Sequence, residues 1–478
     1  MENKQILTER TSGILLGINS LPGTFGIGDF GDDAYHFVDK MEAAKVKLWQ
    51  ILPLNPVGYG NSPYQTYSAF AGDEIYISIE TLYAYLKVEF DSEKVITDRI
   101  DYEQVRNIKN AHLRNAYTHF VKDEAYDSFV KEAFWLEDYV KFMSLKKQNN
   151  MQSWLDWTVH DVNEDDLDFE RFIQYIFFIQ WQDLKAYAND RNVSIVGDIP
   201  IYLGHDSADV YFNRDQFYLD QDGRPTLVAG VPPDFFSTEG QLWGNPLYNW
   251  EQMEADHYQF WINRMLWNQK MYDVIRIDHF RAFDTYWAID AASNQAKLGE
   301  WVIGPRNALF DALYAALPDL KIVVEDLGDL RPEVLELRDD YNLMGMKIVE
   351  FSLNKWDLKN DVNLNKNLLA YTGTHDNQTI VGWLEELGKK GARKLRWNLR
   401  RLGYKNKDLY QRINHYTLGL PCNWAIIPMQ DIMGLDNRAR INTPSTIGSP
   451  NWEWKLETLN SIEAGMEYFG TLVKATNR

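Results

Sequence analysis

Short apolar runs rich in Val and Ile, each ending in polar residues, recur through the sequence. Runs that are apolar on both faces read as buried parallel strands. The clearest are 47–54 (KLWQILPL), 194–200 (SIVGDIP) and 274–280 (VIRIDHF). Next come 321–328 (KIVVEDLG), 346–351 (MKIVEF), 369–377 (LAYTGTHDN) and 424–430 (WAIIPMQ), with 13–18 (GILLGI) as a weaker eighth. Helical patterns fall between most of them. Residues 29–44 carry Phe30, Ala34, Phe37, Val38 and Met41 on one face, and 307–317 carry Leu309, Phe310, Leu313 and Ala316. Strands alternating with helices predict an α/β protein with a parallel sheet. Eight such runs favour a closed (β/α)8 TIM barrel, with a doubly wound open sheet as the alternative.

Two gaps are too long for simple crossovers. Residues 55–193 hold amphipathic patterns such as 173–187 and read as a helical insertion after the second strand. Residues 201–250 are rich in Gly, Pro, Asp and aromatics with little periodicity, and read as a substrate-loop insertion after the third strand. After the last strand a short tail remains, without room for a C-terminal β-sandwich. Residues 1–478 are therefore expected to be a single catalytic barrel.

The 478 residues carry a net charge of −20, which disfavours nucleic acid and anionic membranes as partners. The basic stretch 393–407 has Leu395, Leu399 and Leu402 at helical spacing, so its charges read as the solvated face of an amphipathic helix. No segment approaches the roughly 20 apolar residues that span a bilayer, and the start, MENKQILTER, has no secretory pattern. The single cysteine, Cys422, lies in an apolar stretch, which fits a buried side chain and a reducing cytoplasm. The 17 Trp and 27 Tyr tilt the reading mildly toward sugars, whose apolar ring faces stack on aromatics. Gly-rich stretches such as LPGTFGIGDFG lack the phosphate-cradle signatures and read as turns.

In a barrel, functional side chains sit where strands end. Four runs end in carboxylates: Asp198, Asp278, Glu325 with Asp326, and Asp376. Each alone could cap a helix or pair with Arg; four on separate strands point to chemistry. Side chains alternate along a strand, so Arg276 and Asp278 share a face, and Arg276 is expected to hold Asp278 ionised. Glu325 and Asp326 are neighbours, so only one of them points inward, and parity leaves open which. His205 with Asp206 reads as a loop tie rather than a metal site, because no further ligand has suitable spacing. No metal or organic cofactor is expected.

The chain resembles the amylomaltase family, glycoside hydrolase family 77 of the α-amylase-like clan, over nearly its whole length. The resemblance rests on SLPGTFGIGDFG (20–31), LPLNPVGYGNSPYQTYSAFAGD (52–73) and GDIPIYLGHDSADV (197–210). It rests also on AGVPPDFFSTEGQLWGNPLYNW (229–250), RIDHFRAF (276–283), VEDLG (324–328) and GTHDN (373–377). It implies a 4-α-glucanotransferase. Such an enzyme takes an α-1,4-glucan donor and a glucose or maltooligosaccharide acceptor and works by retaining double displacement. It implies Asp278 as nucleophile, Glu325 as acid/base and Asp376 as the acid that grips sugar hydroxyls. Arg276 and His375 are implied as their partners and Asp198 as a supporting acid. Tyr59, Asp234, Trp243 and Asn245 fall on loops that in the family line the substrate sites. One segment departs from the pattern. In 438–455 (RARINTPSTIGSPNWEWK), Ser445 stands where the family has Gly, Lys455 stands where it has Arg, and 447–450 is slightly long. The rival readings are a hydrolase of the same clan, a metal-dependent barrel and a non-catalytic glucan binder. Oligomeric state stays open.

Overall fold

In the computed structural model the described residues are 5–91, 94–233, 239–293, 295–328 and 330–478. Twelve strands fall into two sheets. They are β1 Thr11–Leu15, β2 Leu48–Gln50, β3 Ser194–Ile199, β4 Leu227–Val231, β5 Gln241–Pro246 and β6 Val274–Ile277. Then come β7 Thr285–Asp290, β8 Glu300–Ile303, β9 Ile322–Val324, β10 Gly345–Ile348, β11 Leu368–Tyr371 and β12 Trp424–Pro428. Eight of them form one parallel sheet in the order β10-β11-β12-β1-β2-β3-β6-β9. It closes on itself where Val323 bridges Met344 and Val324 N–H donates to the Met344 carbonyl at 2.9 Å. The eight apolar runs of the sequence are these eight strands, and the fold is the (β/α)8 barrel.

The strands are apolar on both faces because both faces are covered. Leu48, Val196, Val274, Val323, Leu369, Trp424 and Ile426 pack together in one cluster that fills the barrel. The alternate residues, such as Ile14, Ile195, Ile275, Ile322 and Ala425, pack outward in the main core. Of the helices expected from spacing, Asp32–Ala43 and Arg306–Ala316 form with Phe37, Val38, Leu309 and Phe310 buried. In the basic stretch, Leu395 and Leu399 are the buried face of the helix Ile380–Arg401. Leu402 lies just past the helix end and is 44% exposed, so the expected stripe is one residue shorter.

Residues 55–193 contain helices, the longest being Glu164–Asp190. Asn163 caps it by accepting from Asp165 N–H, and Glu164, Asp165 and Asp166 place negative charge at the positive end of the helix. Two of its glutamines pin the segment that leaves β2. Gln174 accepts from Gly72 N–H and donates to Gly72 O, both at 2.8 Å; Gln180 does the same at Ser78, at 2.8 and 3.0 Å. Gly72 has no room for a side chain, since a Cβ there would stand 2.2 Å from the Phe177 ring. The 58–67 loop before it is closed by its own bonds, Gly58 N–H to Gln65 O and Tyr67 N–H to Pro56 O, each at 2.9 Å.

Residues 201–250 are not wholly irregular. β4 and β5 pair antiparallel and join β7 and β8 in a four-stranded sheet, order β5-β4-β7-β8. Half of that sheet comes from residues beyond β6, so no local pattern announces it. The sheet stands beside the barrel mouth and turns β5 toward the cleft.

Candidate active site

The strand-end acids converge at the C-terminal mouth. The ladder runs on past the strands: Asp278 N–H donates to Ile199 O and Glu325 N–H to Ile277 O, each at 3.0 Å. Side-chain alternation therefore continues to the site. Val323 packs inside the barrel, so Glu325 points in and Asp326 points out. Asp326 is taken up by Arg338 at 2.6 Å and by Met346 N–H at 2.6 Å.

Arg276, 2% exposed, is the hub. Its Nη1 donates to Asp198 Oδ1 at 2.6 Å, Asp198 Oδ2 at 2.7 Å and Asp278 Oδ1 at 3.0 Å, and its Nη2 lies 3.3 Å from Glu325 Oε2. Asp278 and Glu325 thus meet at one guanidinium, close enough to repel each other when both are charged. His279 holds a left-handed backbone, φ 55°, which a residue with a Cβ rarely adopts, and its N–H donates to Glu325 Oε2 at 2.8 Å. Strain is spent on aiming that donor.

The expectation that Arg276 holds Asp278 ionised is corrected here. One guanidinium serves three carboxyls, and it is nearest to Asp198. Burial, then repulsion from Glu325, push the Asp278 carboxyl well above its usual range, and Arg276 only partly offsets them. Burial also works against the charge on Glu325, but Arg276, the neighbouring Asp278 carboxyl and the His279 N–H outweigh it and hold that carboxyl low. The two carboxyls are thus pushed apart, Asp278 toward its neutral form and Glu325 toward its ionised form.

On the far wall stands Asp376, its side chain 45% exposed to the cleft. Asn442 donates to its Oδ1 at 2.6 Å, His375 Nε2 lies 3.4 Å from its Oδ2, and Arg440 donates to its backbone carbonyl at 2.7 Å. Burial opposes its charge, but His375 and Asn442 prevail and pull the carboxyl down to about 2. Tyr64 ties the two walls: its OH donates to Asp198 Oδ2 at 2.8 Å, and its ring stacks on His375 at 5.1 Å.

A cleft of about 800 Å³ opens above these groups. Asp278, His375 and Asp376 line it, with Trp243 and Asn245 from β5 and with Tyr64, Tyr202 and Asn442. Trp243 sits edge-on to His279 at 4.9 Å, and Asn245 is bound by Gln65 and donates to Leu203 O. Asp198 and Arg276 are buried behind the cleft and act on it through Asp278 and Tyr64. Tyr59 opens the turn Tyr59–Asn61, but its side chain, like Asp234 as a whole, lies outside the described residues. Tyr64, Asn442, Arg440 and His279 were not singled out by sequence reasoning. Tyr64 stood in the SPYQTYS stretch, where nothing in spacing separates it from its tyrosine neighbours. His205 is a loop tie, bonded through Nε2 to Gly223 O at 2.8 Å. Among the described residues no group of three or more His, Cys, Asp or Glu is arranged to hold a metal ion.

The departing segment roofs the cleft. Pro444, Ser445, Thr446, Ile447 and Gly448 line it, and a Cβ on Gly60 would stand 3.0 Å from Ile447, so the two loops meet over the mouth. Ser445 adopts φ 65°, the conformation that glycine takes without strain. Lys455 is buried away from the cleft, near Lys94, Glu457 and Asp98. Replacing Ser445 with Val should strain the loop by about 1–2 kcal/mol. The expected result is a raised donor KM with little change in kcat, while Ser445→Gly stays near wild type. Equal kinetics in both variants would show that the loop does not shape binding.

A barrel with two carboxyls gathered on one buried guanidinium at its mouth and an aromatic-walled cleft defines an enzyme of the glycoside-processing class. Comparison with known proteins narrows this. The family model described as 4-alpha-glucanotransferase, glycoside hydrolase family 77, matches residues 16–460, and the chain belongs to that family. The 4-alpha-glucanotransferase of Clostridium butyricum is 40% identical over 92% of this chain and 94% of its own length. That of Streptococcus pneumoniae is 38% identical over 98% of both chains. Among solved structures, the amylomaltase from Streptococcus agalactiae in complex with acarbose superposes with a TM-score of 0.90, at 34% identity, covering 98% of this chain and all of that one.

Proposed function

We propose that this enzyme moves α-1,4-glucan segments to the 4-OH of glucose or a maltooligosaccharide by retaining double displacement, with Asp278 as nucleophile. The observation that carries the reading is that Asp278 and Glu325 are held on the two nitrogens of one guanidinium, Asp278 Oδ1 at 3.0 Å from Arg276 Nη1 and Glu325 Oε2 at 3.3 Å from Nη2. Two carboxyls gathered on one guanidinium support the close spacing of a retaining pair over the roughly 6.5–9.5 Å of an inverting one. The donor enters with its anomeric carbon at Asp278 and its glycosidic oxygen at Glu325. That oxygen is a hydrogen-bond acceptor, so it favours a proton on Glu325, while positive charge growing at the anomeric carbon favours ionised Asp278. A proton passes from Asp278 to Glu325 as the bond breaks. Glu325 protonates the leaving oxygen, Asp278 forms the ester, and Glu325 then takes the proton of the incoming 4-OH. Asp376, ionised and braced by Asn442 and His375, grips ring hydroxyls and opposes the developing positive charge. Asp198 and Arg276 keep the pair in register. Trp243 and Asn245 wall the cleft for donor and acceptor, and the same substrate-binding role for Tyr59 and Asp234 rests on the family resemblance alone. No step calls for a metal or organic cofactor.

Cys422 is buried, and burial pushes its thiol up to about 11, which supports an unreactive side chain. Among the described residues no helix is long and apolar enough to cross a membrane.

The test is to trap the ester. Glu325→Gln cannot protonate a sugar leaving group or activate an acceptor, but a maltosyl fluoride needs no proton to leave. The variant should gain the mass of one maltosyl unit, mapped to the peptide bearing Asp278. An adduct on another residue, or rapid turnover without one, would overturn the assignment.

A further inference from the structure

A sixth strand-end acid stands apart from the pair. Glu350 follows β10 and lies behind the turn that carries His375 and Asp376. Its N–H donates to Thr372 O at 3.1 Å, and a Cβ on Gly373 would lie 3.5 Å from its Oε2. That oxygen is sealed from solvent and has no hydrogen-bond partner among the described residues. Two residues that hold the turn face it. Asn377, beside the Glu350 carboxyl, accepts from Thr374 N–H at 2.8 Å and Thr374 Oγ1 at 3.1 Å, which shapes the turn. Arg440 is the cation whose charge acts on Glu350, and both its bonds serve the far wall: Nη2 to Asp376 O and Nε to Asn442 O, each at 2.7 Å. The other charges facing Glu350 are acids. Asp431, beyond β12, is spent on Thr372 Oγ1 at 2.6 Å and Ile380 N–H at 2.7 Å; Glu386, on the helix Ile380–Arg401, accepts from Gln378.

A buried carboxylate oxygen without a donor is costly, whereas the neutral acid tolerates the place. The observed arrangement is therefore that of protonated Glu350. Once ionised, the group would draw in Arg440, its only nearby counter-charge among the described residues.

We propose that Glu350 is a positioning residue for Asp376: neutral, it leaves Arg440 on the Asp376 carbonyl; ionised, it pulls Arg440 away and loosens the turn. Its titration falls where this matters, since burial, then Asp431, push the carboxyl from 4.5 up to about 7. The activity therefore carries a neutral-range pH dependence that is separate from the Asp278–Glu325 pair. The proposal rests on the reading that Asp376 grips the donor.

The test compares the full-length enzyme with Glu350→Gln, a permanently neutral isostere, in maltotriose disproportionation across about pH 5.5 to 9. Near pH 6 the two should agree within about two-fold; at the alkaline end the variant should retain several-fold more activity. Superimposable profiles, or a variant impaired equally at every pH, would overturn the proposal. Melting curves give a readout independent of turnover. An acid whose folded pKa is raised loses stability as pH climbs from its unfolded value, and the loss is complete above the folded one. Glu350→Gln should thus gain melting temperature over wild type between about pH 4.5 and 7 and hold the gain above it. A constant difference would count against the proposal. If Asp376→Asn turns over normally, the reading of Asp376 fails, while the melting comparison still judges Glu350.

Discussion

Asp278→Asn is expected to lower kcat by about 10⁴-fold or more while leaving the melting temperature at neutral pH unchanged or higher. The two halves have one cause. An amide cannot attack the anomeric carbon, so no ester forms, and Glu325 has nothing to hand its leaving group over to. Yet the Asp278 carboxyl is already pushed toward its neutral form by burial and by Glu325. A neutral side chain of the same shape therefore costs the fold nothing, and at pH above the unfolded value it removes a penalty. The amide oxygen still accepts the 3.0 Å bond from Arg276. Asp198 makes the contrast. It is fully buried and bonded twice by Arg276, and taking one partner from such a pair costs about 3–5 kcal/mol. Asp198→Asn should thus fail by unfolding, Asp278→Asn by chemistry alone. Kinetics beside calorimetry on both variants separates the two. Near-normal turnover in Asp278→Asn would remove it as the nucleophile.

The barrel was legible because parallel strands are buried on both faces, and eight Val- and Ile-rich runs say so locally. The acids were legible because each ends one of those runs. What the sequence hid was non-local. The β5-β4-β7-β8 sheet unites residues on either side of β6, so 201–250 looked like loop alone. Glu325 and Asp326 could not be told apart because 322–324 is apolar on both sides; only the packing of Val323 inside the barrel decides. Tyr64 reaches Asp198 across 134 residues of chain, and Asn442 reaches Asp376 across 66. The role first given to Arg276 failed for a related reason. Spacing put it beside Asp278 but could not show that Asp198, one strand away, claims the same nitrogen. The family resemblance supplied Glu325 where periodicity had no answer, and it flagged Ser445, whose left-handed backbone now explains why glycine suits that position.

Maltotriose should be converted to glucose and longer oligosaccharides while the number of reducing ends stays nearly constant. Once Asp278 carries the glycosyl ester, water and a sugar hydroxyl compete for it. Water is present at about 55 M, but a hydroxyl held in line behaves as though it were at 10⁵ M or more in favourable cases, an advantage of roughly 10³-fold. The cleft is built to hold one. Trp243 and Tyr202 offer ring faces and edges, and β5 keeps Asn245 fixed through Gln65 and Leu203 O. The 58–62 turn and the 443–448 loop meet at Gly60 and Ile447, roofing the ester while the leaving chain is exchanged for an acceptor. Glu325 then takes the acceptor's proton, and attack from the face the leaving group vacated restores the α-configuration in every product. Chromatography of product lengths, a reducing-end assay and anomeric NMR on one time course read all three expectations. A rise in reducing ends that tracks substrate loss would make the enzyme a hydrolase, and β-configuration in the newly formed glycosidic linkages would rule out the ester altogether.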